Sequence, residues 1–303
     1  MDSQIKEKIT HLKNAKSIVE LDKGFSFDKK YIIDNKYLLR LFPIEDVKNR
    51  RMEYDTIYAL SAYSNYVPAG VEFNTLEELE KAYMILTFLP GEDAEVAMKE
   101  LTEKEQYHAG FDSGRELKKL HELEAPTDYE PWHILKKKKS DRYIEELKKV
   151  EIDEKLKELL ESYIRKNEHL MKERPNRFQH DDFHPSNLVI HNKAFAGIID
   201  FQRMDWGDPI HDLQKLGFFS KRVSVPFTKG VVDGYHEVGG VTQAFWELYS
   251  LYSAMHVVSA IVWGMKMGPE QYEVLYGYSM DVLSDHDNFN LLVPKWYNQT
   301  PLY

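Results

Sequence analysis

The feature that most limits what this chain can fold into is a polar run, Gln179-His180-Asp181-Asp182-Phe183-His184-Pro185-Ser186-Asn187, followed closely by Gly197-Ile198-Ile199-Asp200-Phe201. Between them, residues 188–191 and 195–199 read as short apolar strands about a turn at Asn192-Lys193. Apolar, β-branched runs interrupted by Asn suit a hairpin. Such a hairpin would fix its polar ends, Asn187 and Asp200, rigidly beside one another. Asp carboxylates and an Asn carbonyl are hard oxygen donors, the kind magnesium prefers.

The rest of the chain must then build a scaffold around that hairpin. With 303 residues it is long enough for a large core, as one domain or as two lobes about a cleft. Residues 1–20 read as a short amphipathic helix, with Ile5, Ile9, Leu12 and Ile18 at roughly helical spacing. Residues 30–34 and 37–41 read as strands joined by Asp34-Asn35-Lys36. Residues 46–62 read as a helix with Met52, Ile57 and Leu60 turned inward, and residues 71–73 and 83–88 as further strands. Leu89-Pro90-Gly91 ends this strand-rich part. We therefore expect an N-terminal lobe over residues 1–90 and a C-terminal lobe over residues 91–303.

Helices dominate after Gly91. Residues 102–123 form a long amphipathic one, with Thr102 and Glu105 spaced as a capping box. Residues 143–172 hold one or two more, and residues 207–303 return to helices rich in Trp, Tyr and Phe. The run Lys136–Lys139 reads as a solvated helix face, with a phosphate or partner patch as the alternative. The fold class is α+β.

Several function classes drop out. A formal net charge of -10 argues against a general nucleic-acid binder, which needs a basic excess. The absence of cysteine excludes disulfides, thiolate zinc sites and cysteine nucleophiles. The charged N-terminus lacks the apolar stretch of a secretory signal, and there is no run of about 18 apolar residues, so neither export nor a membrane span is expected. The expected location is cytoplasmic.

Phosphoryl transfer fits the polar motif. It needs an oriented acceptor hydroxyl, somewhere for its proton to go, and magnesium on the triphosphate. The protein-kinase catalytic loop has the form His-x-Asp, four residues, Asn; His180, Asp182 and Asn187 match that spacing, and Asp200 follows after the hairpin. The sequence resembles the aminoglycoside phosphotransferase family, a branch of the protein-kinase-like fold. That family shows His-Gly-Asp-x-x-x-x-Asn, Ile-Asp-Phe/Leu and Gly-Asp-Pro…Asp-Leu; Trp206-Gly207-Asp208-Pro209 and Asp212-Leu213 match the last part. The resemblance covers about residues 20–285 and implies a small antiparallel-sheet N-lobe and a larger, mostly helical C-lobe.

It also implies roles. Asp182 resembles the catalytic Asp that receives the hydroxyl, Asn187 and Asp200 the Mg2+ ligands, and His180 a brace for the loop. Asp181 departs from the pattern, because many relatives have Gly there; it either faces solvent or raises the pKa of its neighbour. Residues 23–31, with Ser26, resemble the nucleotide-positioning loop, although an ordinary hairpin turn reads the same way. Arg40 stands where most kinases carry the lysine that meets the α- and β-phosphates. Its partner is expected to be Glu53, with local pairing of Glu53 to Arg50 or Arg51 as the alternative. The backbones of Thr87 and Leu89 would read the base of ATP or GTP.

The implied partner is a small-molecule hydroxyl acceptor. An aminoglycoside or related antibiotic leads, with choline-, homoserine- and sugar-type kinases as alternatives. Acidic candidates for holding it are Asp205, Glu270, Glu273, Asp281, Asp285 and Asp287; aromatic ones are Trp206, Trp263, Tyr272 and Tyr276. Two other readings stay open: a catalytically silent nucleotide-binding module, and a metal-dependent phosphohydrolase in which the His-Asp-Asp-Phe-His run would ligate a metal.

Overall fold

A computed structural model describes residues 3–21, 28–237 and 240–299. Two short helices, α1 (Ser3–Lys8) and α2 (Thr10–Lys13), precede strand β1 (Ile18–Glu20). The single helix expected over residues 1–20 is thus corrected. Ile9 takes extended backbone between α1 and α2 (φ -101°, ψ 114°). Beyond α2, the Lys16 and Ser17 amides both donate to Asp34 Oδ1, at 2.8 and 2.7 Å, which draws Ile18 into a sheet opposite Ile33.

Strands β2 (Lys29–Ile33) and β3 (Tyr37–Pro43) form the expected hairpin. Asp34 and Asn35 at its turn have φ of 51° and 52°, the left-handed backbone that Asp and Asn tolerate best. Helix α3 (Val47–Leu60) and strands β4 (Gly70–Leu76) and β5 (Lys81–Thr87) complete an antiparallel sheet in the order β1-β2-β3-β5-β4. Side chains alternate across it. Leu39, Leu41, Tyr83 and Ile85 pack with Ile9 and Leu12 on one side. Phe42, Met84 and Leu86 join Ile57 and Leu60 of α3 on the other. Met52, expected to point inward, is 53% exposed, because α3 turns Glu53, Thr56, Ile57 and Leu60 to the sheet instead.

The helical lobe begins with β6 (Glu92–Asp93), α4 (Ala94–Ala97) and α5 (Glu103–Leu120). The capping box is present: Glu105 N donates to Thr102 Oγ1, and Thr102 N donates to the Glu105 carboxylate at 2.8 Å. Helix α6 (Trp132–Leu147) starts earlier than residue 143, since Pro131 precedes it and Asn176 Oδ1 accepts from Trp132 N at 2.9 Å. Then come α7 (Glu154–Asn167), β7 (Arg177–Gln179), β8 (Leu188–His191), β9 (Ala194–Ile198), β10 (Asp205–Gly207) and α8 (Ile210–Leu213). The chain continues through α9 (Lys221–Val223), α10 (Val225–Tyr235), α11 (Gln243–Met267), α12 (Pro269–Asp285) and α13 (Lys295–Gln299).

β8 and β9 form the anticipated hairpin about Asn192 and Lys193, with β6 as a third strand. The pairing of β7 with β10 was not anticipated. Helices α5 and α10 meet backbone to backbone: a Cβ at Gly110 would lie 2.1 Å from Phe227 O, and one at Gly234 would lie 2.0 Å from Phe111 O. α11 is long and apolar enough to cross a membrane by length and composition, yet most of it is buried in the protein as a core helix. One hydrophobic core runs from Met84 and Leu86 of the sheet through Leu188, Ile190 and Ile198 of the hairpin to Leu117 and Val231. The polar loops are therefore seated on a rigid base.

Candidate active site

The loop after β7 is shaped by a buried carboxylate. Asp212, on α8 and 1% exposed, accepts from His180 N at 2.6 Å and from Asp181 N at 2.8 Å, one oxygen each. His121 Nε2 lies 3.0 Å from the Oδ2 that takes the His180 amide. Burial alone would raise the Asp212 pKa, but the His121 hydrogen bond holds it below its usual value. Under this clamp Asp181 adopts φ 52°, a backbone conformation that explains why Gly suits the position. His180 is fully buried, and its Nε2 meets Ile199 O at 2.9 Å, bracing the loop against the arm that leads to Asp200. Burial keeps that imidazole neutral.

Asp182 lies at the centre of the loop. Lys215 Nζ is 3.0 Å from its Oδ1, and His184 Nε2 is 3.5 Å from the same atom. Asn187 Nδ2 donates to Asp182 O at 2.8 Å and to Oδ2 at 3.2 Å. Burial pushes this carboxyl up, but the His184 hydrogen bond and the Lys215 charge outweigh it and hold the pKa well below the carboxylate range. Asp182 is ionised at any physiological pH.

The hairpin sets Asp200 beside this group. Leu188 pairs with Ile198, and Ile199 N donates to Asn187 O at 2.9 Å, so Asn187 and Asp200 flank the hairpin's open end. Asp200 is exposed, with φ 64° and ψ 70°, and among the described residues its carboxylate makes no hydrogen bond or ion pair. Asn187 spends its amide nitrogen on Asp182, which leaves Oδ1. A carboxylate and an amide carbonyl, both oxygen donors, are a donor set that suits magnesium.

In the sheet lobe, Arg40 is 4% exposed within a four-residue cluster. Its Nη1 reaches Glu53 Oε1 at 2.5 Å, and its Nε and Nη2 reach Asp28 Oδ2 at 3.0 and 2.6 Å. Arg50 bonds the same two carboxylates, at 2.7 Å to Asp28 and 3.1 Å to Glu53. Glu53 therefore pairs both with Arg40 and locally with Arg50, while Arg51 lies beside Asp55. The structure brings Thr87 and Leu89 together differently. The Thr87 amide is spent on Ala69 O at 2.9 Å. The main-chain groups of Leu89 bond to nothing among the described residues, and its side chain packs on Gly197 of β9. Ser26 lies outside the described residues.

Three cations were missed. Lys30 pairs across the strands with Arg40, and burial lowers its pKa while the nearby Asp200 charge opposes that shift. Lys215, three residues beyond Asp212, also donates to Asp181 O. Lys136 departs from the solvated reading of the lysine run, which holds for the exposed Lys138 and Lys139: it is 9% exposed, and its Nζ lies 2.6 Å from His211 Nε2. The acidic candidates are less convergent than expected. Asp281 and Asp285 pair with Arg222 and Lys221. Asp205 accepts from Tyr129 Oη at 2.6 Å and lines a small recess with Trp206, Lys136 and Asp181. Trp263 is 41% exposed on α11.

Residues 17–248 match the model of a family described as phosphotransferase enzymes. No curated protein sequence matches significantly. Among solved structures, the chain is similar to the ADP-bound aminoglycoside phosphotransferase APH(2'')-Ib, with TM-score 0.65 and 19% identity over 98% of this chain and 99% of that one. It is also similar to the GDP complex of wild-type aminoglycoside 2'-phosphotransferase-IIIa, with TM-score 0.67 and 14% identity over 94% and 100%. A thermostable mutant of APH(4)-Ia, in ternary complex with AMP-PNP and hygromycin B, gives TM-score 0.65 and 13% identity over 94% and 98%. At these identities the likeness concerns the fold.

Proposed function

The chain belongs to the phosphotransferase enzyme family, and we propose that it moves the γ-phosphoryl group of ATP or GTP to a hydroxyl of a small molecule, with Asp182 receiving the proton. One observation carries this reading: Asp182 and Asn187 are hydrogen-bonded at 3.2 Å at the mouth of a hairpin whose other arm ends in Asp200. Asn187 Oδ1 and Asp200 would hold magnesium, which supplies charge neutralisation for the β- and γ-phosphates.

The chain's own residues do the rest. A depressed pKa keeps Asp182 as an acceptor that orients the hydroxyl at any working pH. Lys215, in contact with that carboxylate, adds positive charge where the transferring phosphoryl group would pass. The Asp28–Arg40–Arg50–Glu53 cluster fixes α3 against the sheet and so positions the nucleotide lobe, which we take as residues 1–90. Leu89, with open main-chain groups, is the better placed of the two base-reading candidates. The nucleotides named with the structural relatives, ADP, GDP and AMP-PNP, support the donor class.

The silent-module reading loses ground because Asp182, Asn187 and Asp200 are all present and held together. The phosphohydrolase reading loses ground because His180 is buried and its Nε2 is occupied by Ile199 O. The test is magnesium-dependent consumption of ATP and GTP across amino alcohols, sugars, hydroxy acids, macrolides and aminoglycosides. We expect turnover with at least one class, abolished by chelation and reduced about a thousandfold in Asp182→Ala. Full turnover in that variant would remove the assignment.

A further inference from the structure

We propose that the cavity beside Asp182 is an oxyanion site for the acceptor, so that the substrate is a small hydroxyl compound bearing a phosphate or carboxylate and not a polycation. This rests on the kinase reading above and names its substrate class. The cavity measures about 140 Å³ and is lined by Lys136, Lys139, Lys215, His211, His256 and Asp181 among others. Its position is given by Lys215, which lines it and also lies 3.0 Å from Asp182 Oδ1. A group bound there would present a neighbouring hydroxyl to the base.

The lining is cationic. Three ammonium groups line it, from Lys136, Lys139 and Lys215, with Asp181 as the lining carboxylate. Lys215 is also paired with Asp182 and Lys139 is exposed to solvent, so the local balance is three positive charges against two negative. Among the described residues Lys139 forms no ion pair. Lys136 is buried against His211, and a buried ammonium without a carboxylate partner is costly. Burial holds its pKa down at about 7, with the Lys139 charge adding to the effect. Among the described residues, His211 Nδ1, 3.6 Å from Asp181 Oδ1, and His256 Nε2 are buried polar atoms with no hydrogen-bond partner. Such orphaned groups are few in native proteins and call for an occupant. An entering oxyanion would satisfy the ammonium groups and provide acceptors for ring N–H groups. A polyamine would add like charge to a site that already has too much.

Size points the same way. A cavity near 150 Å³ accommodates something of the order of a benzene ring. That is room for one phosphate or carboxylate with a few carbons. The adjoining recess is smaller, about 40 Å³, and holds Asp205.

The experiment compares glycerol, glycerol phosphate, glycerate, aminopropanediol and kanamycin as acceptors at neutral pH. It is run alongside calorimetric titration of ADP and, without nucleotide, of glycerol phosphate and glycerate. We expect kcat/KM for the two anionic compounds to exceed that for glycerol and aminopropanediol by about tenfold or more. The better of the two anions tells phosphate from carboxylate. Lys139→Met should erase the preference, whereas Lys138→Met, at an exposed position outside the cavity, should keep it. Equal rates across the series, a preference for kanamycin, or a preference that survives Lys139→Met would overturn the proposal. Failure of the kinase reading looks different: no ADP binding and no turnover with any compound. The nucleotide-free titration then decides the cavity alone. Binding lost in Lys139→Met supports the oxyanion site, and no binding to the wild type removes it.

Discussion

Lys136→Met should make the protein more stable and the enzyme worse. In the folded chain Lys136 is 9% exposed, with Nζ 5.4 Å from the Trp132 ring centroid and 2.6 Å from His211 Nε2. Burial first, then the Lys139 charge, lower its pKa from 10.5 to about 7. Between those values the unfolded chain binds more protons than the folded one, so wild-type stability rises with pH across that window. At about pH 8 the lysine costs the fold about 3 kcal/mol, taking about 1.4 kcal/mol per pH unit. Methionine has a similar unbranched stem and avoids that cost. It also leaves His211 Nε2 without a donor, at about 1–2 kcal/mol. The net gain is about 1–2 kcal/mol, or about 2–4 °C in melting temperature. Thermal melts of both proteins from about pH 7 to about pH 10 test this. The variant's advantage should shrink as pH rises and change sign near about pH 9 to 10, where the wild-type lysine no longer pays for its charge. A variant less stable at about pH 8, or a difference that ignores pH, would refute the reasoning. Below about pH 7, where Lys136 still carries its proton, KM for an anionic acceptor should rise in the same variant, because a charge is removed from the cavity.

Other predictions follow from particular contacts. Arg40→Lys offers one ammonium to Asp28 and Glu53 where a guanidinium made three hydrogen bonds; it should cost about 2–3 kcal/mol by denaturant titration, and an unchanged midpoint would dismiss the cluster's structural role. Asp212→Asn sets an amide N–H against the His180 or Asp181 amide; a loss of about 2–3 kcal/mol and a fall in kcat with ADP affinity kept are expected, read by melting and calorimetry. Gly234→Ala meets backbone, Phe111 O at 2.0 Å, and should cost about 3 kcal/mol or more, whereas Gly277→Ala on α12 meets nothing within 4 Å and should be neutral or slightly stabilising. KM for an anionic acceptor should rise as pH climbs past about 7, since Lys136 then loses its proton amid Lys139, Lys215, His211, Asp181 and Asp205. A KM profile flat from about pH 6 to about pH 9 would count against Lys136 as a ligand.

Local patterns account for what could be read ahead of the structure. The hairpin about Asn192-Lys193, the Thr102 capping box and the turn at Asp34-Asn35 each depend on neighbours in sequence. The proposed set, Asp182, Asn187 and Asp200, was legible because its members lie on one loop and one hairpin. What escaped depends on contacts distant in sequence. The N-terminal helix is interrupted at Ile9, and beyond it Asp34 reaches back to Lys16 and Ser17 and draws the chain into the sheet. The β7–β10 pairing joins residues 177–179 to 205–207. Lys136 carried a readable signal all the same: Trp132, Lys136, Ser140 and Ile144 recur every four residues and form the buried stripe of α6. Charge composition drew the lysine to the surface in the reading, whereas its spacing placed it inside. The acidic acceptor residues implied by the family resemblance are met locally by lysines, because Lys136, Lys139 and Lys215 line the cavity beside Asp182.

The central claim is tested most directly by following transfer of labelled γ-phosphate from magnesium-ATP to an acceptor in the wild type, Asp182→Asn and Asp200→Asn. The account predicts that Asp182→Asn keeps nucleotide binding but transfers at least about a hundredfold more slowly, and that Asp200→Asn weakens magnesium dependence and transfer together. Wild-type rates in both variants would contradict it.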